Sequence, residues 1–230
     1  MIKKIYVYFI RLVHVIFLLI GIIYLLKKFK NNNLSQWVLS LFYIWDIKGL
    51  IYLDCPWWTY SSIKEIDTYL KKNKGSIAFE YGSGASSVWL AKRVKKLYSV
   101  EHDEEWFNVV KKYINNFANV NYKLVQPDIK LHSHQYLSIK AKGVSFYNYV
   151  NEINFINNKF DLIVIDGRAR NACLKLALKK LKKGGIIIFD NCNRKRYKND
   201  LVKLKNKINF YPGLTPSLPY PECTAIIHNK

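Results

Sequence analysis

The sequence predicts an α/β fold: a doubly wound, mostly parallel seven-stranded sheet with an antiparallel hairpin at its C-terminal edge, preceded by N-terminal hydrophobic helices. Three observations predict it. From residue 61 onward, short apolar runs alternate with amphipathic stretches, the pattern of successive βα units. A glycine turn, Gly82-Ser83-Gly84, falls where the first run meets the first amphipathic stretch. The runs Phe160 to Asp166 and Gly185 to Asp190 are apolar enough for central strands covered on both faces.

The 230 residues, half of them hydrophobic, suffice for one domain with a core and a short appendage. We divide them into a hydrophobic anchor helix (1–30), an aromatic-rich amphipathic connector (31–60) and the α/β domain (61–230). Ile5 to Leu26 are nearly all apolar, interrupted by Arg11, His14 and Gly21 and flanked by lysines on both sides. A helix of that length would be about 33 Å long, enough for a bilayer core, and the stem of Arg11 could snorkel to the headgroups. The segment is therefore read as a membrane-embedded helix. A buried helix, or one lying along the membrane face, is the alternative. A cleaved signal peptide fits less well, because no small-residue cleavage site follows.

Asn31-Asn32-Asn33 reads as a break. Leu34 to Leu53 carries Trp37, Phe42, Tyr43, Trp45 and Tyr52 but is interrupted by Asp46 and Lys48. It suits either a membrane interface or packing on the following domain. Ser62 and Glu65 have the spacing of a helix cap, and that helix runs to about Lys72. A strand over Ser76–Tyr81, a helix over Ala85–Lys95 and a strand over Leu97–Glu101 follow. Next come a helix over Glu104–Phe117 and a strand over Val120–Val125. Gln126 to Asn158 is an irregular polar insert. A strand to Asp166, a helix over Asn171–Lys182 and a strand over Gly185–Asp190 complete the alternation. The tail, Asn209 to His228, reads as two strands around a proline-rich loop.

The net charge of +21 is consistent with nucleic acid, anionic lipid or an acidic substrate as partner. The lysines are scattered, so a solvated basic surface accounts for the charge as readily as a dedicated groove does. No zinc-finger spacing, RNP-type aromatic run or GXXG loop is present. The four cysteines form no C-x-x-C pair, which argues against zinc and redox motifs and for free thiols in a reducing compartment.

Around the glycine turn, Glu80-Tyr81-Gly82-Ser83-Gly84-Ala85-Ser86-Ser87 lets backbone amides approach a ligand at a helix start. Ser87 stands where a dinucleotide fingerprint wants its third glycine, which weakens the pyrophosphate reading. Glu101 closes the second strand about 20 residues past the turn, the place from which a carboxylate accepts ribose hydroxyls. Asp103 and Glu104 suit the start of the next helix.

Four segments together resemble the class I S-adenosylmethionine-dependent methyltransferases, which are Rossmann-like. Phe79 to Gly84 resembles their first motif and Val100 to Asp103 their acidic second. Asp161 to Gly167 and Lys183 to Asn191 resemble their fourth and fifth strands. The resemblance implies S-adenosyl-L-methionine as cofactor, with Glu80, Tyr81, Gly82, Ser83, Gly84, Ser86 and Ser87 around its methionine end. Glu101 would hold the ribose and His102 would lie against the adenine edge. Asp128 and Asp166 are further candidates for contact with the cofactor.

Asp166, Asp190 and Asn191 lie at the ends of neighbouring strands and could hold a hard divalent cation such as Mg2+. The same trio resembles the metal site of catechol-type O-methyltransferases. That family's lysine base is missing, because Ala169 stands in its place, so a metal-free pocket is the competing reading. Arg168, Arg170 and Arg194, with Arg196 nearby, suit an anionic acceptor, or are surface charge. Asp166, His134 and His132 are the candidates for handling the acceptor's proton. The reading as a whole is methyl transfer to a hydroxyl of a small, glycan or lipid-linked acceptor, by an enzyme on the cytoplasmic face of a membrane. A nucleic-acid methyltransferase and a non-catalytic membrane scaffold are the alternatives. Against the first of these, no N-P-P-Y or D-P-P-Y tetrapeptide follows the fourth strand.

Overall fold

A computed structural model describes residues 2–30, 32–44, 46–129, 133–138, 141–204 and 207–229, and seven of its strands form one sheet. These are β1 (Ile77–Tyr81), β2 (Lys96–Glu101), β3 (Val120–Leu124), β6 (Phe160–Ile165), β7 (Leu181–Asp190), β8 (Ile208–Gly213) and β9 (Glu222–His228). The short strands β4 (Leu137–Ser138) and β5 (Ala141–Ser145) make a separate antiparallel pair within the insert. The order in the large sheet is β3-β2-β1-β6-β7-β9-β8. Its first five strands run parallel, whereas β9 is antiparallel to both β7 and β8. The predicted architecture and its C-terminal hairpin are both present.

Period-two alternation divides the core. Phe79, Tyr81, Ile163, Ile165, Ile187 and Phe189 face one side, under α8 (Tyr147–Asn151), α9 (Arg170–Lys180) and α10 (Lys195–Val202). Ala78, Leu162, Val164, Ile186 and Ile188 face the other, under α5 (Tyr60–Lys72) and α6 (Ala85–Ala91). The strand ends that converge in the middle of the sheet, those of β1, β6 and β7, are therefore held from both faces.

Several boundaries differ from expectation for identifiable reasons. Helix α5 begins after Thr59, not at Ser62, because the Thr59 hydroxyl donates to Tyr211 O and its carbonyl accepts from Ser62 Oγ, which fixes an extended residue there. Helix α6 stops at Ala91 because the Asn119 amide donates to the carbonyls of Ala91 and Val94. Helix α10 was not expected. Only Tyr197 and Leu201, four residues apart, mark its buried face within a basic run. The insert, expected to be irregular, holds α8 as well as its strand pair. All four cysteines are free and buried, and Cys192 Sγ donates to Cys223 Sγ at 2.9 Å.

The largest departure is at the N-terminus. The expected single helix is two, α1 (Ile2–Leu19) and α2 (Ile22–Lys28), bent by 85°. Gly21 makes the corner at φ +76, a left-handed value that a side chain at that position would resist. Among the described residues no single helix is long and apolar enough to cross a membrane; the pair together meets that test only as a broken span. The connector, α3 (Asn33–Leu41) and α4 (Ile47–Tyr52), packs on the sheet domain. Leu39, Ile47, Leu50 and Leu53 meet Ala85, Val88, Val110 and Ile114, the last two from α7 (Glu104–Ile114). Trp37 Nε1 donates to Leu218 O, and the Ser217 amide donates to Ser40 Oγ.

Candidate active site

The glycine turn and Glu101 are in direct contact. Parallel pairing of Glu80 with Ser99 and of Tyr81 with Val100 brings the ends of β1 and β2 side by side. The Ser83 amide and hydroxyl then donate to Glu101 Oε2 at 2.9 and 3.0 Å. The amides of His102 and Asp103 donate to Glu101 Oε1 at 2.7 and 3.0 Å. Burial pushes this carboxyl up, but the His102 contact and the amides of Asp103 and Ser83 outweigh it and hold the group below its ordinary value. An ionised carboxylate is thus presented at the end of β2.

Beneath the turn, Glu80 is fully buried and accepts from three serine hydroxyls: Ser86 at 2.6 Å, Ser87 at 2.5 Å and Ser99 at 2.6 Å. Burial raises its carboxyl to about 7 against those donors. Ser87 Oγ also accepts from the Gly84 amide, so Glu80 ties the strand end to the first turn of α6. Ser86 and Ser87 therefore shape the turn from below. The three amides of the turn are already spent, on Val100 O from Gly82, on Glu101 from Ser83 and on Ser87 from Gly84.

S-adenosylmethionine fits this arrangement. A Cβ built on Gly84 would meet nothing nearer than Trp106 Cζ2, at 4.0 Å, so there is room over the turn. The Ser83 hydroxyl now holding Glu101 also lies 2.6 Å from Tyr122 Oη, an alternative partner that would free an acceptor site on the carboxylate for a ribose hydroxyl. Sequence reasoning missed Tyr122 and also Trp106, whose indole N–H donates to Ser83 O and braces the turn from α7. Both come from elements distant in sequence, and nothing local marks them.

His102 joins this end to the neighbouring strand. Its Nδ1 lies 2.7 Å from Glu101 Oε1, and its Nε2 accepts from Arg168 Nε at 3.1 Å, which assigns the ring proton to Nδ1. The ring packs edge-on against Phe146 and Tyr149 of the insert. Two other candidates are committed elsewhere. Tyr81 is buried and donates its hydroxyl to Val150 O. Asp128 accepts from the backbone and side-chain amides of Asn148 at the start of α8.

The divalent-cation trio does not fit a metal. The guanidinium of Arg170, only 7% exposed, lies between the two carboxylates. It donates to Asp166 Oδ1 at 2.7 Å and to the carbonyls of Asp166, Gly167 and Asp190, and sits 3.9 Å from Asp190 Oδ2. The Thr224 hydroxyl donates to Asp190 Oδ1. Asn191 takes φ +50 in the turn toward α10, where its carbonyl accepts from the Arg194 amide. A fixed organic cation thus stands where Mg2+ was expected, and no cluster of three metal-ligating side chains occurs among the described residues. By the same bonds, Arg170 is withdrawn from the acceptor-binding role expected of it.

The other arginines remain at the surface of a cleft of about 310 Å³ beside the ends of β6 and β7. Arg168, Arg194, Arg196, Lys175, Asn171 and His134 line it. Arg196 was expected beside the other arginines; Lys175 was not. His132 lies outside the described residues. Asp166, partly exposed, adjoins the cleft at Gly167; burial raises its carboxyl above the ordinary value, against the opposing charges of Arg170 and Arg194.

Residues 79–192 match the family model of a methyltransferase domain. No curated protein sequence matches the chain at a significant level. Among solved structures, an O-methyltransferase from Bacillus cereus in complex with SAH shares 16% identity, covering 82% of this chain and 90% of its own, with a TM-score of 0.54. Cofactor-bound Rv0187 from MTB shares 14% identity over 74% of this chain and 80% of its own, with a TM-score of 0.56. Precorrin 8w decarboxylase of Methanobacterium thermoautotrophicum shares 16% over 73% and 89%, with a TM-score of 0.53. At these identities the likeness is one of fold.

Proposed function

Because the domain at residues 79–192 belongs to the class I S-adenosylmethionine-dependent methyltransferases, we propose that this chain moves a methyl group to a hydroxyl of a small, glycan or lipid-linked acceptor held in the Arg168–Arg194 cleft. The observation that carries the reading is the Arg168–His102 hydrogen bond, which sets the cleft wall against the strand end that bears Glu101. When bound, the cofactor supplies an electrophilic methyl on a sulfonium. Glu101 holds the ribose, and the β1–α6 turn holds the methionine end. The protein's remaining tasks are to align the acceptor hydroxyl and to take its proton. Asp166 suits the second task, because a carboxylate raised above its ordinary range by burial is a better base. His134, on the cleft rim, is the other candidate.

The test is calorimetry with S-adenosylhomocysteine on the full chain, followed by transfer of labelled methyl to glycan, lipid and RNA fractions. Glu101→Gln is expected to weaken S-adenosylhomocysteine binding at least about tenfold, since the amide turns a donor toward the ribose and loses the charge. Unchanged affinity would remove Glu101 from the cofactor site. Label recovered in RNA alone would replace the hydroxyl acceptor with a nucleic acid.

The reading includes attachment to a membrane by the bent N-terminal pair, lying in the plane of the interface. Leu19, Tyr24 and Tyr8 are 79%, 78% and 70% exposed, and Phe9, Leu12, Ile20 and Phe29 of the same helix pair and its end are exposed too, a concentration of bare apolar side chains that suits a membrane. Exposed Arg11, Lys27, Lys28 and Lys30 border it, which suits anionic headgroups. The protein is expected to float with phosphatidylserine-containing vesicles, and Leu19→Ser with Tyr24→Ser to abolish this while leaving S-adenosylhomocysteine binding intact. Flotation unaffected by those changes would rule out this face as the attachment.

A further inference from the structure

We infer that the Arg168–Arg194 cleft is a phosphate site and that the group it reads is a phosphoryl substituent of a small molecule. The anion site stands on the cleft alone; that the molecule is the methyl acceptor rests on the function proposed above.

The charge balance of the cleft is one-sided. Arg168, Lys175, Arg194 and Arg196 line it, and none of the four has a carboxylate within ion-pair distance among the described residues. The acid on the lining, Asp200, is paired with Lys203 at 3.3 Å. Arg168 spends its Nε on His102, which fixes the guanidinium plane and leaves its two terminal amino groups as a fork. The Arg196 guanidinium stacks on the Tyr197 ring at 4.7 Å, which orders it with its edge free for hydrogen bonds. Lys175 donates to Gln135 Oε1 at 3.3 Å, a long bond to a neutral partner. The first residues of α9 and α10 belong to the same lining, and neither helix has a side-chain cap, so both add partial positive charge.

Four cations are more than a carboxylate needs, since one arginine fork satisfies it. A phosphate monoester or diphosphate carries the matching charge and the extra acceptor oxygens. At about 310 Å³ the cleft is at the small end of ligand pockets and admits a sugar-phosphate-sized group. That size favours a compact phosphorylated molecule over a nucleic-acid backbone, which needs an extended track.

Inorganic pyrophosphate is the probe, titrated calorimetrically into the full chain at low salt beside acetate, glucose 1-phosphate and a single-stranded RNA oligonucleotide. Pyrophosphate and glucose 1-phosphate are expected to bind and acetate not to. The triple variant Lys175→Gln, Arg194→Gln, Arg196→Gln is expected to weaken both at least about tenfold. S-adenosylhomocysteine binding, measured on the same samples, is expected to stay unchanged. Equal phosphate binding by the variant, or none by the parent, would overturn the site while an intact S-adenosylhomocysteine signal left the methyltransferase reading standing. RNA binding that depends on the same three side chains and exceeds that of glucose 1-phosphate would reassign the cleft to nucleic acid. Loss of S-adenosylhomocysteine binding in the parent protein would instead count against the proposed function.

Discussion

Arg170→Ala is expected to destabilise the domain by about 3–5 kcal/mol, the cost of leaving buried charge without its partner. The guanidinium is the cation that serves both Asp166 and Asp190, and it also takes up three main-chain carbonyls. Removing it leaves two neighbouring carboxyls, of which Asp190 is only 4% exposed, without the cation between them; Arg194 still opposes the charge of Asp166. Burial already sets both above the ordinary carboxylate range, and the charge of Asp166 raises Asp190 further, with Arg170 opposing. A carboxyl whose folded value is raised keeps its proton in the folded state while the unfolded chain has lost it. Stability therefore falls as pH rises from the unfolded value through the folded one. Without Arg170 that window widens, so the variant should be most nearly normal at about pH 4–5 and weakest above neutrality. Urea unfolding of parent and variant at both ends of the range measures this. Arg170→Lys should recover part of the loss, returning a charge but not the forked contacts to the carbonyls. Equal stability of Arg170→Ala and parent at pH 8 would show that the guanidinium is not the counter-ion.

The same trio shows where sequence reading reached and where it stopped. The strands β1, β6 and β7 were legible because short, continuous apolar runs bounded by turn residues are what central strands covered on both faces require. Glu101 was legible because its spacing from the turn follows from strand and helix lengths. Asp166, Asp190 and Asn191 were correctly placed at neighbouring strand ends, yet the object between them was misjudged. Oxygen ligands for a metal and acceptors for a guanidinium are the same atoms, and the choice depends on which side chain the next helix turns inward. Ala169, in place of the expected lysine, was a hint, and Arg170, four residues after Asp166, was the answer. The N-terminal pair misled for a related reason: composition suggests an apolar helix, but one left-handed glycine decides whether it is straight. Tyr122, Trp106 and the Arg196–Tyr197 stack had no local signature, because each acquires its role from packing across elements or from a neighbour's orientation.

Gly82→Ala is expected to cost roughly 3 kcal/mol and to abolish cofactor binding, through two effects that can be separated. The residue sits at φ +89, where a Cβ is strained, and that Cβ would lie 2.7 Å from both Gly167 Cα and Gly167 N and 3.0 Å from the Asp166 carbonyl carbon. All three are main-chain atoms, so no rotamer change relieves the overlap. The ends of β1 and β6 must part. They are joined there by the Asp166 amide donating to Tyr81 O at 2.9 Å, and the turn they carry is what positions Ser83 against Glu101. Gly75→Ala is the control, since Gly75 has the same φ of +89 with nothing within 4 Å of its Cβ. It should show only the dihedral cost, about 1 kcal/mol, with S-adenosylhomocysteine binding intact. Chemical denaturation and calorimetry on the two variants separate strain from contact. If they lose the same stability and both bind, the close approach of the two strand ends is not what keeps the cofactor site in shape.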